Sequence, residues 1–378
     1  MKLNKKIFIV AGESSGDQHA AKYVNAHKQL DPNVEFYGIG QQELRASGVN
    51  IIFDSEDIAV VGIVEVISKY KNIRNALHKS YRFILENKPD LVVLVDYVEF
   101  NLKIAKFAKA HNIKVLFYVA PQVWAWREKR IKKIIDAVDH LAVVFPFEET
   151  IFKKYTNNVT YIGHPLAENN ELVPTNLAYE DRTINLGIFP GSRHSEIKNN
   201  LHYMIDSFRQ DRSRSLDDQG IRIFYANQSA KNTIESLLPN NWHSLLISGK
   251  NIGQIKNCKK VITASGTITL ELAMMNICMV IMYRLSPLTY LLMKNLVKIK
   301  YIGLVNLIGG DRLGALPIVK EFIQPNYSDI VDTMVELQKI DLDSNYRLSI
   351  ESGYQKIRDS LKPGASKKLA KLAINLMN

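Results

Sequence analysis

Short apolar runs rich in β-branched and aromatic residues alternate with helical patterns along this chain, and few folds accept that alternation. In the first half the runs are Lys6–Ala11, Val34–Ile39, Leu91–Asp96, Val115–Ala120, Leu141–Phe145 and Thr160–Gly163. In the second they are Asn185–Pro190, Ile221–Ala226, Ser244–Ile247, Lys260–Ala264 and Cys278–Tyr283. Near-continuous Val, Ile, Leu and Phe marks strands covered on both faces. The pattern predicts an α/β protein of parallel, doubly wound sheets. A polar, irregular stretch from Ala167 to Thr183 separates the two series. Two Rossmann-like domains are therefore expected, over 1–168 and 184–345, with a linker at 169–183. Helices over 346–378 should pack back on the first domain or on a partner subunit. A length of 378 residues suits two domains.

Ligands of such sheets sit at the carboxyl ends of the strands, so the informative residues follow the runs. Gly12–Asp17 is Gly-rich but is not G-x-G-x-x-G, and Gly38 and Gly40 punctuate the second run. Ser15, Gly16 and Asp17 read as a polar substrate loop rather than a dinucleotide site. Two tight turns are the plain alternative. Asp96, Glu99 and Asn101 follow the third run, two carboxylates and an amide placed for general-base work. Against that stands a helix capped by Asp96. Trp124 and Trp126 beside Pro121 suggest a sugar- or acyl-binding wall, or an interface plug.

In the second half, Pro190–Glu196 is a Gly-Ser turn into a helix, with Gly191, Ser192 and Arg193 forming an anion site. A surface pair between Arg193 and Glu196 is the alternative. Val261–Glu271 reads as strand, tight turn and helix start. Ser265, Gly266 and Thr267 offer donors to a diphosphate, Thr269 another hydroxyl, and Glu271 a carboxylate for the vicinal hydroxyls of a ribose. Together these spell a nucleotide; an N-capped core helix is the ordinary reading.

Net charge is +11, spread along the chain without a basic block. That favours an anionic partner but not nucleic acid. Two cysteines, Cys258 and Cys278, form no disulfide framework and no metal spacing, which fits a reducing cytoplasm. The N-terminal apolar run reads as a strand rather than a signal peptide. No uncharged apolar stretch spans a bilayer; Leu272–Met293 contains Arg284 and Pro287. Val60–Leu85 is basic and amphipathic, suited to an anionic lipid surface or to packing on the sheet with a solvated basic face. Tyr283–Tyr301 is a second apolar, basic candidate.

Several motifs in order resemble one family, lipid-A-disaccharide synthase, over roughly residues 6 to 325. Ala11–Asp17 resembles its AGE-x-SGD, Tyr118–Arg127 its YVSPSVWAWR, and Phe145–Glu148 and Ile162–Pro165 its PFE and GHP elements. Pro190–Arg193 with Glu196 resembles PGSR-x-x-E, Ala264–Glu271 resembles ASGT-x-TLE, and Val319–Gln324 resembles the K/P-E-x-x-Q element. The resemblance implies two Rossmann-like domains facing a cleft, the GT-B architecture. It implies an inverting transfer of 2,3-diacylglucosamine from UDP to the 6-hydroxyl of 2,3-diacylglucosamine 1-phosphate (lipid X), giving the β-1,6-linked disaccharide 1-phosphate. It further implies a peripheral protein on the cytoplasmic face of the inner membrane, without metal or cofactor, with a homodimer left open. By resemblance Asn306, Glu321 and Gln324 join the UDP-sugar set, Ser15, Gly16, Asp17, Asn101 and Trp124 meet the acceptor, and Arg193 braces the diphosphate.

The chain departs from the family where the usual DAPDFN reads Asp96-Tyr-Val-Glu99-Phe-Asn101. The base position is thus a glutamate, with Asp96 the alternative base. LPN is Leu304-Val-Asn306, and Asp311–Leu316 looks like an insertion. The competing readings are a UDP-N-acetylglucosamine epimerase-like or other GT-B enzyme, and a UDP-sugar-binding peripheral membrane protein without turnover.

Overall fold

The computed structural model describes residues 4–58, 69–119, 130–207, 220–285, 301–309 and 316–378. The chain divides into two compact units, Met1–Glu168 with Leu361–Asn378, and Asn169–Ser360. Among the described residues no helix is long and apolar enough to cross a membrane.

The first unit holds seven parallel strands: β1 (Lys6–Ala11), β2 (Glu35–Gly40), β3 (Asn50–Asp54), β4 (Leu91–Val95), β5 (Lys114–Tyr118), β6 (His140–Val143) and β7 (Val159–Tyr161). Their order is β3-β2-β1-β4-β5-β6-β7. Leu91–Val95 is fully buried along its length, as its uninterrupted apolar sequence requires. The order runs outward from β1 to β3, then restarts on the other side at β4. The topological switch point therefore lies between β1 and β4. Ala11 and Val95 are register partners there, so the loops after both strands emerge side by side.

Helix Ser14–Leu30 follows β1 and packs against the C-terminal helix Ala365–Met377. Buried Ala365, Ala370 and Ala373 let the two backbones come close. Ser366 donates from its N–H and hydroxyl to the Glu168 carboxylate (3.1 and 2.9 Å), and the His164 N–H donates to the Lys362 carbonyl (3.0 Å). Those bonds fasten the chain's last segment to this unit. Of the Val60–Leu85 pattern, Tyr70–Asn87 is helical; residues 59–68 lie outside the described ones.

The second unit has six parallel strands: β8 (Ile184–Phe189), β9 (Ile221–Tyr225), β10 (Leu246–Ser248), β11 (Cys258–Thr263), β12 (Cys278–Tyr283) and β13 (Glu321–Ile323). Their order is β10-β9-β8-β11-β12-β13, which places its switch point between β8 and β11. Phe189 and Thr263 are register partners at that edge. Helix Ser344–Ser360 buries Ile350, Tyr354 and Ile357 within this unit. The stretch expected as a linker is tied here too: buried Arg182 donates to the Cys258 carbonyl (3.2 Å) and the Tyr179 hydroxyl to Asp341 (2.6 Å).

Three details differ from the sequence reading. Strands β3 and β13 were not anticipated: both are edge strands, and polar residues confine their apolar runs to Ile51–Phe53 and Phe322–Ile323. The first half of the Ser244–Ile247 run ends a 3-10 helix over Asn240–Leu245, opened by Pro239, and its second half begins the strand Leu246–Ser248. The third run stops at Val95, because Asp96 and Tyr97 both take left-handed backbone conformations (φ 48° and 43°).

Candidate active site

In the first unit the switch point gathers the ends of β1 and β4. Left-handed backbone at two successive non-glycine residues is a costly turn. Asp96 and Tyr97 are held in it by local contacts. Asn101, fully buried, donates from Nδ2 to the carbonyls of Val95 (3.2 Å) and Asp96 (2.7 Å). The Tyr97 hydroxyl donates to the Ile58 carbonyl (2.6 Å). Its ring lies on Gly12, where a Cβ would come within 2.2 Å of it, so glycine is required there. Tyr97, not Asp96, is the N-cap residue of helix Val98–Ala110, and no side chain caps that helix. The expected alternative for Asp96, a capping role, is therefore not seen.

The two carboxylates of this edge sit in different surroundings. Burial, then the neighbouring Glu13 carboxylate, push the Asp96 pKa up from 3.8 to about 6, against a hydrogen bond from the Tyr97 backbone. Glu99, in the first turn of the helix, is 67% exposed and ion-pairs with Arg130. Asp17 is buried and wholly engaged: its oxygens accept from the N–H groups of Gln41 (2.7 Å), Glu43 (2.9 Å) and Leu44 (3.4 Å). It fixes the start of the short helix Gln42–Ala46. Gly16 is buried against Ala11 and Val95, while Ser15 is exposed. The edge thus brings together Gly16, Asp96, Glu99 and Asn101, and leaves Asp17 to organise the loop beside them. Trp124 lies outside the described residues.

In the second unit the residues after β8 and β11 flank the other switch point. Gly191 takes φ 122°, which favours glycine, and starts the turn into helix His194–Asp206. Arg193 is the N-cap residue, half exposed, and its Nη1 reaches Glu196 Oε1 at 3.4 Å. The contact expected as the plain alternative is thus present. Glu196 also accepts from the Ser192 N–H (3.2 Å) and the Tyr283 hydroxyl (3.4 Å). Burial, then Glu196, push the Tyr283 pKa up to about 12.

After β11, the Ser265 hydroxyl donates to the Ile302 carbonyl (2.9 Å) and Thr269 Oγ1 to the Gly266 carbonyl (2.9 Å). A Cβ on Gly266 would meet nothing within 4 Å among the described residues, which leave space open above this loop. Thr267 is exposed and precedes helix Ile268–Met274. Burial raises the Glu271 pKa, and no hydrogen bond or ion pair reaches its carboxylate among the described residues. It remains available to hydroxyl donors.

Asn306, Glu321 and Gln324 serve this edge from behind. Glu321 accepts from the N–H groups of Ile302 (2.8 Å) and Gly303 (3.1 Å) and from Asn306 Nδ2 (2.7 Å). Asn306 also bonds the Val319 carbonyl (2.8 Å) and N–H (3.1 Å). The Gln324 amide pairs with both the N–H and the carbonyl of Leu285. These side chains hold segment 301–309 and the exit of β12 beside Ser265. Sequence reasoning singled out neither Tyr97 nor Glu196 as working residues. Glu196 had a signal, its spacing from Arg193 on one helix turn; Tyr97 had none, since nothing in its type announces a left-handed turn.

With this geometry in place, a family model and curated relatives point to one family. A family model described as lipid-A-disaccharide synthetase matches residues 7–375. The lipid-A-disaccharide synthase of Geobacter metallireducens is 36% identical, covering 99% of this chain and 98% of its own length. That of Nitrosococcus oceani is also 36% identical, covering 98% of this chain and 96% of its own. Solved structures share the fold at low identity. S. aureus MnaA, solved with UDP, gives a TM-score of 0.62 at 13% identity, covering 98% of this chain and 97% of its own. Acinetobacter baumannii MurG gives 0.53 at 14%, covering 98% and 99%.

Proposed function

The chain belongs to the lipid-A-disaccharide synthase family of glycosyltransferases, and we propose how its residues divide the work of that reaction. The reaction moves a 2,3-diacylglucosamine unit from UDP to the 6-hydroxyl of 2,3-diacylglucosamine 1-phosphate. The acceptor oxygen bonds to the anomeric carbon as the bond from that carbon to the β-phosphate oxygen breaks. Its electron pair leaves on UDP, and the acceptor proton goes to a protein base. In-line displacement inverts the anomeric centre, so one base and one stabiliser of the leaving diphosphate suffice.

The second unit binds the UDP part. The observation that carries this reading is that its two candidate loops flank one switch point, where open parallel sheets take their ligands. Arg193 and the turn Gly191–Ser192 take the diphosphate, with the loop Ser265–Thr267 presenting donors beside it. Glu271, half-buried and without a partner among the described residues, accepts from the ribose hydroxyls. Asn306, Glu321 and Gln324 act through the backbone they hold. Arg193→Ala should lower turnover at least ~10²-fold, the scale of a lost transition-state donor. Near-normal turnover would remove Arg193 from the mechanism.

The first unit takes the acceptor. Glu99 is the base, because its carboxylate is accessible at the first helical turn after the switch point and Arg130 orients it. Asp96 is a second reading, favoured by its pKa near 6, close to what a base needs at neutral pH. A pH–rate profile whose acid limb falls near 6 would assign the base to Asp96. We also place the protein on the cytoplasmic face of the inner membrane. The support is the exposed basic face of helix Tyr70–Asn87, which carries Lys71, Arg74 and Arg82. The epimerase reading is not favoured, since the family match spans nearly the whole chain.

A further inference from the structure

We infer that Glu196 is a built-in competitor for the diphosphate, a positioning residue that holds Arg193 and the Ser192 N–H and sets how tightly UDP is retained. The inference rests on the reading that Arg193 braces the diphosphate. The turn after β8 is wrapped around the Glu196 carboxylate. Oε2 accepts from the Ser192 N–H at 3.2 Å, and Oε1 accepts from Arg193 Nη1 and from the Tyr283 hydroxyl, each at 3.4 Å. Gly191 is pressed to the same side chain, since a Cβ there would lie 2.8 Å from Glu196 Cβ.

A backbone N–H at a helix start and a guanidinium are the donors a phosphate oxygen takes. Both point at an internal carboxylate instead, so a diphosphate must take these donors from Glu196 to be bound by them. The two partners differ in freedom. Glu196 is 15% exposed and stays anchored by Tyr283, whereas Arg193 is 54% exposed on a flexible stem. Arg193 is therefore the group that exchanges partners. When UDP leaves, the carboxylate recovers its donors, which favours product release, a step that often limits turnover. An ion pair this exposed is a weak one, so its removal should tighten UDP by only about two- to fivefold.

The test is UDP binding by calorimetry at one salt concentration, with thermal melting to confirm folding, for wild type, Arg193→Ala, Glu196→Gln, Glu196→Asp and the Arg193→Ala/Glu196→Gln double variant. Arg193→Ala should bind UDP about tenfold more weakly or worse. Glu196→Gln should bind it about two- to fivefold more tightly, and that gain should vanish without Arg193. Glu196→Asp keeps the charge but is one methylene short of spanning both donors, so it should tighten binding to a smaller degree. If Arg193→Ala binds UDP normally, the diphosphate reading fails. If Arg193→Ala weakens binding but Glu196→Gln binds as wild type or more weakly, the competitor inference is overturned and the diphosphate reading stands. A gain that survives in the double variant overturns it as well. Should Glu196→Gln not fold, Glu196→Asp decides by the same comparison, tighter binding supporting the inference and equal or weaker binding overturning it.

Discussion

Asp96 is placed where ionisation is unfavourable, between a buried strand end and the Glu13 carboxylate, and this has a consequence for stability. In the folded chain it keeps its proton up to about pH 6, against 3.8 for the ordinary group. The stability that the neutral acid supports is fully present below pH 3.8 and is lost as pH rises through about 6. Above that, the ionised carboxylate costs up to about 3 kcal/mol. Asp96→Asn should therefore raise Tm at pH 8 and leave it nearly unchanged at pH 3.5. Equal Tm changes at both pH values would contradict the shift. The sequence showed that Asp96 and Glu99 were the carboxylates to weigh, because both follow an apolar run at a strand's carboxyl end. It could not show their surroundings. Those depend on Tyr97 closing over Gly12 and on Asn101 holding two carbonyls, contacts set by a backbone turn that no residue type signals.

Among the elements, the strands with long apolar runs were legible and the edge strands β3 and β13, whose apolar runs are brief, were not. The loops after β1, β4, β8 and β11 were legible as a group, since each follows a predicted strand and carries polar side chains suited to a sugar or a phosphate. What each side chain does inside them was less so. Asp17, Asn306, Glu321 and Gln324 carry the types that bind sugars and nucleotides, yet they bond mostly to backbone groups of neighbouring segments. Burial of those backbone groups requires a partner, and a nearby polar side chain supplies one. Helix Tyr70–Asn87 shows both of its expected faces. Ala76, Ser80, Phe83 and Ile84 are buried, while Lys71, Arg74 and Arg82 are exposed. Reversing those three charges to Glu should cut binding to vesicles containing anionic lipid, with little change in Tm. The effect should shrink as salt rises, at about 1 kcal/mol per basic residue near the surface. Unchanged vesicle binding would return this face to ordinary solvation.

For the whole molecule, two doubly wound sheets each place their candidate residues at a switch point, and a chain of net charge +11 suits anionic substrates and an anionic surface. Together these parts perform disaccharide synthesis rather than UDP-sugar binding alone. The most direct test is turnover of UDP-2,3-diacylglucosamine with lipid X by the purified wild type, Glu99→Gln and Asp96→Asn. The wild type should form disaccharide 1-phosphate and UDP, and Glu99→Gln should lose turnover with UDP binding retained. Loss in Asp96→Asn alone would keep the reaction and move the base to Asp96. A wild type that binds UDP but forms no disaccharide would instead make this chain a UDP-sugar-binding protein without turnover.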